Sequence, residues 1–487
     1  MKKNVFYLIA FLIFISCDKE EYGTEQVSIE DNNKLLTIEE INKIIDNSVE
    51  STGDFLWAEQ EINVIWSALE HSDNMLTIGY GENDDHFQRD KRSQDLANEI
   101  VNLIQEHESI SSKSEFLIDK NEDINVMEVY VKNKETLKTL LSDKRVRYVE
   151  PEYDFYGIAE SDMAKGGLKG CVLEGQRFSS ADYKIVAPGA MVPWNFYDHN
   201  ITKAWQYSTG KGVTIAVIDT GLSEQNFNNG FSTGKTIVKY GTVYYPASDD
   251  HCGHGTNMAS AALAPLNDDN MPVGVAYDAN LVSYRAMSDP WLNTRAERRS
   301  VEHAFLKIAK RKDIKIISMS AGKIFTNRRI KDAIRYAYKY DKLIFTAAGS
   351  STAWSTKLFY KGVVFPARMD ETVAVTGVRG DKVDYKRCAV CHQGKKVDFT
   401  IRMQHRRKKP KKATVPTLGV NDGDANYRGG SSVATAITAG IAALIWEKHP
   451  NWSREQVLQK LKESSDFYPN RHKKFGYGNI DALKAVQ

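Results

Sequence analysis

The stretch Val213-Thr214-Ile215-Ala216-Val217-Ile218-Asp219-Thr220-Gly221 decides the fold. A continuous apolar run that ends on a carboxylate and a glycine predicts a strand buried on both faces. Its functional group lies at the C-terminal end, where open α/β sheets present their chemistry. Outward from this run, further strands are predicted at Leu281 to Arg285, Ile314 to Met319, Leu343 to Ala347 and Thr372 to Thr376. They interleave with helices at Arg295 to Lys310, Arg328 to Tyr340, Ser431 to Lys448 and Ser453 to Lys462. Strands alternating with helices predict a mainly parallel sheet covered by helices. No internal repeat is present.

Asp-Thr-Gly alone fits a turn cap as well as a reactive carboxylate. About 35 residues on stands Gly253-His254-Gly255-Thr256, before the small-residue stretch Ala259 to Ala264. Near the C-terminus Gly429-Gly430-Ser431-Ser432 opens an apolar helix through Ile437, Ile441, Leu444 and Ile445. A serine there can be a simple N-cap, or a nucleophile beside the free N–H groups and positive end of the helix dipole. Each piece is weak, but the order Asp, His, Ser, with each residue on its own kind of element, is diagnostic.

In that order, Asp219, His254 and Ser432 resemble the catalytic residues of the subtilisin-like serine proteases, the subtilases. Three further stretches carry the resemblance: Trp194 to Gly212, with Ile201, Ala204 and Trp205; Ile316-Ile317-Ser318-Met319-Ser320; and Phe475-Gly476-Tyr477-Gly478-Asn479-Ile480-Asp481-Ala482. It covers roughly residues 190–487. The resemblance implies a subtilisin-like three-layer α/β fold and a serine endopeptidase acting through an acyl-enzyme. It places the substrate strand between Met319, Ser320, Ala321 and Gly322 on one side and Ala347, Ala348 and Gly349 on the other. No cofactor is required, and structural calcium is compatible with the family.

The family's oxyanion asparagine is replaced by Ser350, which is the expected oxyanion residue here. Losing that asparagine costs about 10²–10³ in turnover, a magnitude measured in this family. Ser431, Ala436 and Asn257 also stand where threonine, proline and histidine are usual. These departures keep a second reading open, a weak or inactive relative acting as a binding protein.

Val146-Arg147-Tyr148-Val149-Glu150-Pro151-Glu152 resembles the closing strand of a subtilase propeptide. Helix-like spacing at Leu96 to Ile104 and Glu135 to Leu141, with strands at Val126 to Val131 and Val146 to Val149, predicts a small α/β propeptide domain over residues 71–157. Before it, residues 17–70 read as a tether and small helical region, with a capping box at Thr37 and Glu40. Residues 158–190 read as a loop-like connector, and 191–487 as the catalytic domain.

Lys2 and Lys3 precede an apolar run, Val5 to Ile15, which is too short to span a bilayer but fits an export signal. Ser16-Cys17 at its end resembles a bacterial lipobox. This predicts a signal peptide over residues 1–16, lipidation of Cys17, and an exported lipoprotein of the bacterial outer membrane or cell surface; a plain secretory signal would instead give a periplasmic or secreted protein. The acidic stretch Asp18-Lys19-Glu20-Glu21 resembles surface-export signals of lipoproteins.

The composition is that of a globular protein: 487 residues, 42% hydrophobic, 26% charged, net charge +2. It gives no bias toward nucleic acid, so the expected partners are protein or peptide substrates, the chain's own propeptide, and a membrane through the lipid. Cys171, Cys252, Cys388 and Cys391 allow three pairings in an oxidising compartment. Cys388-Ala389-Val390-Cys391-His392 also spells a haem-attachment motif, and with His392 or His405 an incomplete zinc set. It falls in a polar connection without a helical pocket, so a local Cys388–Cys391 bond is expected. That leaves Cys171 and Cys252 to each other, and a cut after Cys171 would then keep the enzyme tied to its lipid. The basic run Arg402 to Lys412 reads as a solvated loop.

Overall fold

A computed structural model describes residues 34–81, 90–156, 170–228, 235–351, 362–380, 385–405 and 414–487. The signal segment, Cys17 and most of the basic run lie outside the described residues. The chain divides into residues 1–35, of which only Lys34 and Leu35 are described, and one compact unit from Leu36 to Gln487.

That unit opens with helices α1 (Ile38–Thr52) and α2 (Ile62–His71), strand β1 (Met75–Tyr80) and helix α3 (Lys91–His107). Strands β2 (Leu117–Asn121) and β3 (Val126–Tyr130), helix α4 (Lys134–Ser142) and strand β4 (Val146–Pro151) follow. The strands form an antiparallel sheet in the order β2-β3-β1-β4. The capping box at Thr37 and Glu40 starts α1 as expected. The apolar stripe of α1, Ile41, Ile45 and Val49, packs with Ile65 and Leu69 of α2 into the same core as Ile78, Ile100 and Val129. The helical part of 17–70 is thus integral to the small domain, because its apolar stripes have no other surface to bury.

The connector is not wholly loop-like. Strand β5 (Tyr183–Val186) lies inside it and pairs as a hairpin with β6 (Ala190–Pro193), which runs on into the catalytic domain.

Beyond it come β7 (Thr214–Asp219), β8 (Ile237–Tyr240), α5 (His254–Leu263), β9 (Asn280–Arg285), α6 (Arg295–Ala309), β10 (Ile314–Met319), α7 (Arg328–Lys339), β11 (Leu343–Ala347), β12 (Val373–Arg379) and β13 (Phe399–Gln404). Seven of these strands form a parallel sheet in the order β13-β12-β11-β10-β7-β9-β8. A hairpin of β14 (Thr414–Leu418) and β15 (Ala425–Gly429) leads directly into α8 (Gly430–Lys448), followed by α9 (Arg454–Glu463).

The pleat explains the layering. In β7, Ile215 and Val217 face a core built with α5 and α8, while Ala216 and Ile218 face a second core built with α6 and α7. Every position of such a strand is buried, which is why it reads as an unbroken apolar run. Helix α8 is long and apolar enough to cross a membrane, yet nearly all of it lies inside this core. The arrangement is the three-layer α/β fold expected, with β7 an interior strand between β10 and β9.

The basic run is also corrected where it is described. Arg402 to Gln404 belong to buried strand β13, whose backbone is held by Arg402 N–H donating to His199 Nε2 and Asn195 Nδ2 donating to the Arg402 carbonyl.

Candidate active site

Strand β7 delivers Asp219, fully buried, to the carboxyl edge of the sheet. One carboxylate oxygen accepts from the Thr220 N–H at 2.8 Å and from His254 Nδ1 at 2.7 Å. With Nδ1 donating to the carboxylate, Nε2 is the nitrogen left to act as a base.

His254 begins α5, and the turn before it is organised by Asp250, a residue not singled out from the sequence. One oxygen of this buried carboxylate accepts from the N–H groups of Cys252 and Gly253 and from the Thr220 hydroxyl. The other accepts from the N–H and hydroxyl of Thr256. Five charge-assisted bonds in a buried turn make a stiff mount for the imidazole. The only sequence signal for this hub is the Asp249-Asp250 pair shortly before Gly253-His254.

Hairpin β14–β15 runs into α8 and sets Ser432 in the first turn of the helix, on the same cleft as His254. Its hydroxyl donates to the Ser320 carbonyl at 3.4 Å, and the Ser320 hydroxyl donates back to the Ser432 carbonyl at 2.9 Å. Catalytic hydrogen bonds between nucleophile and base often tighten only when substrate binds.

Ser350 lines the cleft, but its hydroxyl is committed elsewhere. It accepts from the Ser431 N–H at 2.9 Å and shares a bond with the Ser431 hydroxyl at 2.9 Å. Gly430 has φ +77°, and a Cβ there would lie 2.5 Å from that oxygen. A serine at this position reaches only the adjacent helix start, so the expectation of a Ser350 oxyanion donor is corrected. The Ser431 N–H is spent on Ser350, so only the first-turn N–H groups of α8 beyond it can serve as backbone donors.

The expected substrate strip is also revised. Ser320, Ala321, Gly322, Ala347 and Gly349 line the cleft, whereas Met319 is buried in the α6–α7 core and Ala348 in a cluster with Val363, Ala367, Ala374 and Val397. Alternation at the strand ends turns those two side chains inward. Gly322 is already paired: its N–H donates to the Pro290 carbonyl and its carbonyl accepts from the Leu292 N–H. Trp291, beside that pairing, is another cleft residue not foreseen.

Cys388 and Cys391 form a disulfide and are fully buried, as is most of His392, so this segment is not a polar connection. It forms a cleft wall through Ala389 and Val390, with the Ser351 N–H donating to the Val390 carbonyl and the His392 N–H to the Gly349 carbonyl. The His392 ring nitrogens bond the Gly362 carbonyl and the Ser351 hydroxyl, which makes the motif a clamp on the wall and not a ligand set. The second disulfide joins Cys171 to Cys252, two residues before His254.

The small N-terminal domain docks on the outer faces of α6 and α7 through buried charge. Glu152 meets Arg298 at 2.5 Å, Glu128 meets Arg295 at 2.8 Å, and Asp119 meets Arg299 and Arg329 at 2.7 and 2.9 Å. Tyr148 donates to Asp332 at 2.8 Å. Glu150 accepts from Asn327 Nδ2 and the Arg328 N–H at 3.0 Å each. Burial pushes Glu150 up to about 7. Burial also acts on Glu152, but the Arg298 charge and hydrogen bond outweigh it and hold this carboxyl at about 2. Lys323, buried nearby, is pushed down to about 7.

Comparison with known proteins agrees with this geometry. The subtilisin of Bacillus sp. (strain TA39) is 28% identical over 58% of this chain and 67% of its own. The M-protease of Shouchella clausii (strain KSM-K16) is 24% identical over 87% of this chain and 94% of its own. The crystal structure of fervidolysin from Fervidobacterium pennivorans, a keratinolytic enzyme related to subtilisin, shares the fold with a TM-score of 0.60 and 18% identity, over 85% of this chain and 61% of that one. The subtilase family model matches residues 210–478, more than half the chain, so the protein belongs to the subtilase family of serine-type endopeptidases.

Proposed function

We propose that Asp219, His254 and Ser432 hydrolyse peptide bonds of protein substrates through an acyl-enzyme. The observation that carries the reading is the Asp219–His254 bond, buried at a strand end, in one cleft with Ser432 at a helix N-terminus. His254 Nε2 takes the Ser432 proton as the hydroxyl attacks the carbonyl, then returns it to the leaving amine; water repeats the sequence on the ester and releases the acid. Asp219 holds the imidazole tautomer. The first-turn N–H groups of α8 face the developing oxyanion, with no side-chain donor from Ser350, so turnover is lower than in relatives that keep the asparagine. Ser432→Ala tests this: it should lower kcat/KM by about 10⁶ and block self-processing, and an unchanged rate would refute it.

The small domain is an inhibitory propeptide in this reading, held by its charge lattice on α6 and α7. The N-terminal signal and Cys17 make the precursor an exported lipoprotein. Export is supported by relatives such as the minor extracellular protease Epr of Bacillus subtilis (strain 168). The committed Ser350 hydroxyl and the Ser432 bond to Ser320 favour a second reading, an inactive relative that binds peptides. Such a protein would bind substrate peptides with equal affinity before and after Ser432→Ala.

A further inference from the structure

Tyr156, at the end of the small domain, stacks edge-on against Phe325 at 5.2 Å, three residues beyond the cleft residue Gly322. The next described residue, Gly170, lines the cleft, and its carbonyl accepts from Arg428 Nη1 at 2.8 Å. Only residues 157–169 separate the two.

From Gly170 onward the chain is fastened. Cys171 is bonded to Cys252, and the Val172 N–H donates to the Cys252 carbonyl at 3.0 Å. Gly253 (φ +83°) is packed so closely on the Val172 carbonyl that a Cβ would collide with it. Asn421 Nδ2 donates to the Leu173 carbonyl at 3.2 Å, the Gln176 N–H to the Ala425 carbonyl at 2.8 Å, and the Tyr427 N–H to Gln176 Oε1 at 3.1 Å. Phe178 packs edge-on against Tyr427 at 4.7 Å, and the Ser179 N–H donates to the Tyr427 hydroxyl. Arg428 ties this strap back to the His254 side, since its Nε donates to Asn257 on α5.

Resting on the peptidase reading, we propose that self-cleavage falls N-terminal to Cys171 and that Gly170–Ser179 stays in place as a permanent rim over His254, selecting slender, flexible chains over bulky substrates. Residues from Cys171 on are held on the loop that carries His254, so their carbonyls cannot reach Ser432. The cut consumes one water, leaving a carboxylate on the small domain and a new ammonium on the strap, with the disulfide unchanged. The catalytic domain then has no covalent link to Cys17, and the expectation of an anchored product is replaced by one of release.

The test compares processed wild-type protein with Cys171→Ser/Cys252→Ser and with Gln176→Ala/Asn421→Ala, which loosens the strap away from His254. Measurements are the mature N-terminus, labelling of Ser432 by a small fluorophosphonate, and kcat/KM for a folded protein substrate against a short peptidyl anilide. A mature N-terminus among residues 158–171 is expected. The protein-to-anilide ratio should rise on the order of tenfold in both variants, with the anilide rate unchanged in Gln176→Ala/Asn421→Ala. An N-terminus beyond Cys171, or labelled variants with an unchanged ratio, would overturn the strap alone. Failure of Ser432 to label would overturn the peptidase reading and the strap with it. If the double-cysteine variant does not fold, the Gln176/Asn421 pair decides.

Discussion

The two walls of the cleft are built on opposite logic. On the His254 wall one buried carboxylate, Asp250, gathers five donors and leaves Asp219 to the imidazole and the Thr220 N–H. On the Gly349–Ser351 wall polar groups are spent on each other: Ser350 on Ser431, Ser351 on Val390 and His392, and Gly349 on Ser431 and His392. One wall positions a base, and the other fastens a helix start and a disulfide loop. The Asp219–His254 side is therefore firmly mounted, while the hydroxyls of the opposite wall are turned to that wall's own structure.

The sharpest way to break this contrast is Asp219→Asn. It preserves shape but favours the wrong tautomer, and kcat should fall by about 10⁴ with little change in KM. A loss below tenfold would mean that His254 is not the base.

Asp250→Ala comes next. It leaves buried donors without an acceptor, at a cost of roughly 3 kcal/mol or more, and should lower both Tm and kcat because the His254 mount loosens. Thermal unfolding followed with peptide assays separates the two effects; lost activity with unchanged Tm would assign Asp250 a direct chemical role.

Much of this was legible in the sequence and some was not, for physical reasons. Strand β7 and helix α8 are buried on all sides, so their apolar runs announce them without knowledge of any partner. Met319 and Ala348 were misplaced because a strip of consecutive residues cannot all face one cleft. Strand β13 was hidden because Arg402 and Gln404 are polar yet buried, a state that tertiary partners allow: Arg402 Nη1 faces Asp198 at 3.6 Å and Gln404 Oε1 accepts from the Ala389 N–H. The role of Ser350 depends on the close approach of Gly430, which sequence spacing does not contain.

Docking of the small domain extends the comparison, because burial shifts charged groups at its interface. Docking raises Glu150 from its ordinary 4.5 to about 7, so it takes up a proton between those values and weakens as pH rises through that window. Docking lowers Lys323 from 10.5 to about 7, so it releases a proton above pH 7 and tightens as pH rises further. Glu152, held at about 2, stays charged throughout this range. The affinity of separately produced small domain for Ser432→Ala catalytic domain should pass through a minimum near pH 7, changing by at most about tenfold per pH unit for each proton. Glu150→Gln should flatten the acidic limb. A monotonic profile would contradict the assignment of both groups.

The smallest effect is expected at Ser350. Removing its hydroxyl should cost about 1 kcal/mol of stability through the lost bonds to Ser431 and alter kcat by less than about threefold. A hundredfold fall in kcat without loss of stability would restore Ser350 as an oxyanion donor.

The central claim is that Ser432 is a nucleophile activated by the Asp219–His254 pair. Its most direct test is mass mapping of the processed protein after brief exposure to a fluorophosphonate, alongside His254→Ala. The account predicts one adduct, on Ser432, in the wild-type protein and none in the variant over the same time. An unlabelled Ser432 in well-folded protein, or equal labelling in His254→Ala, would contradict it.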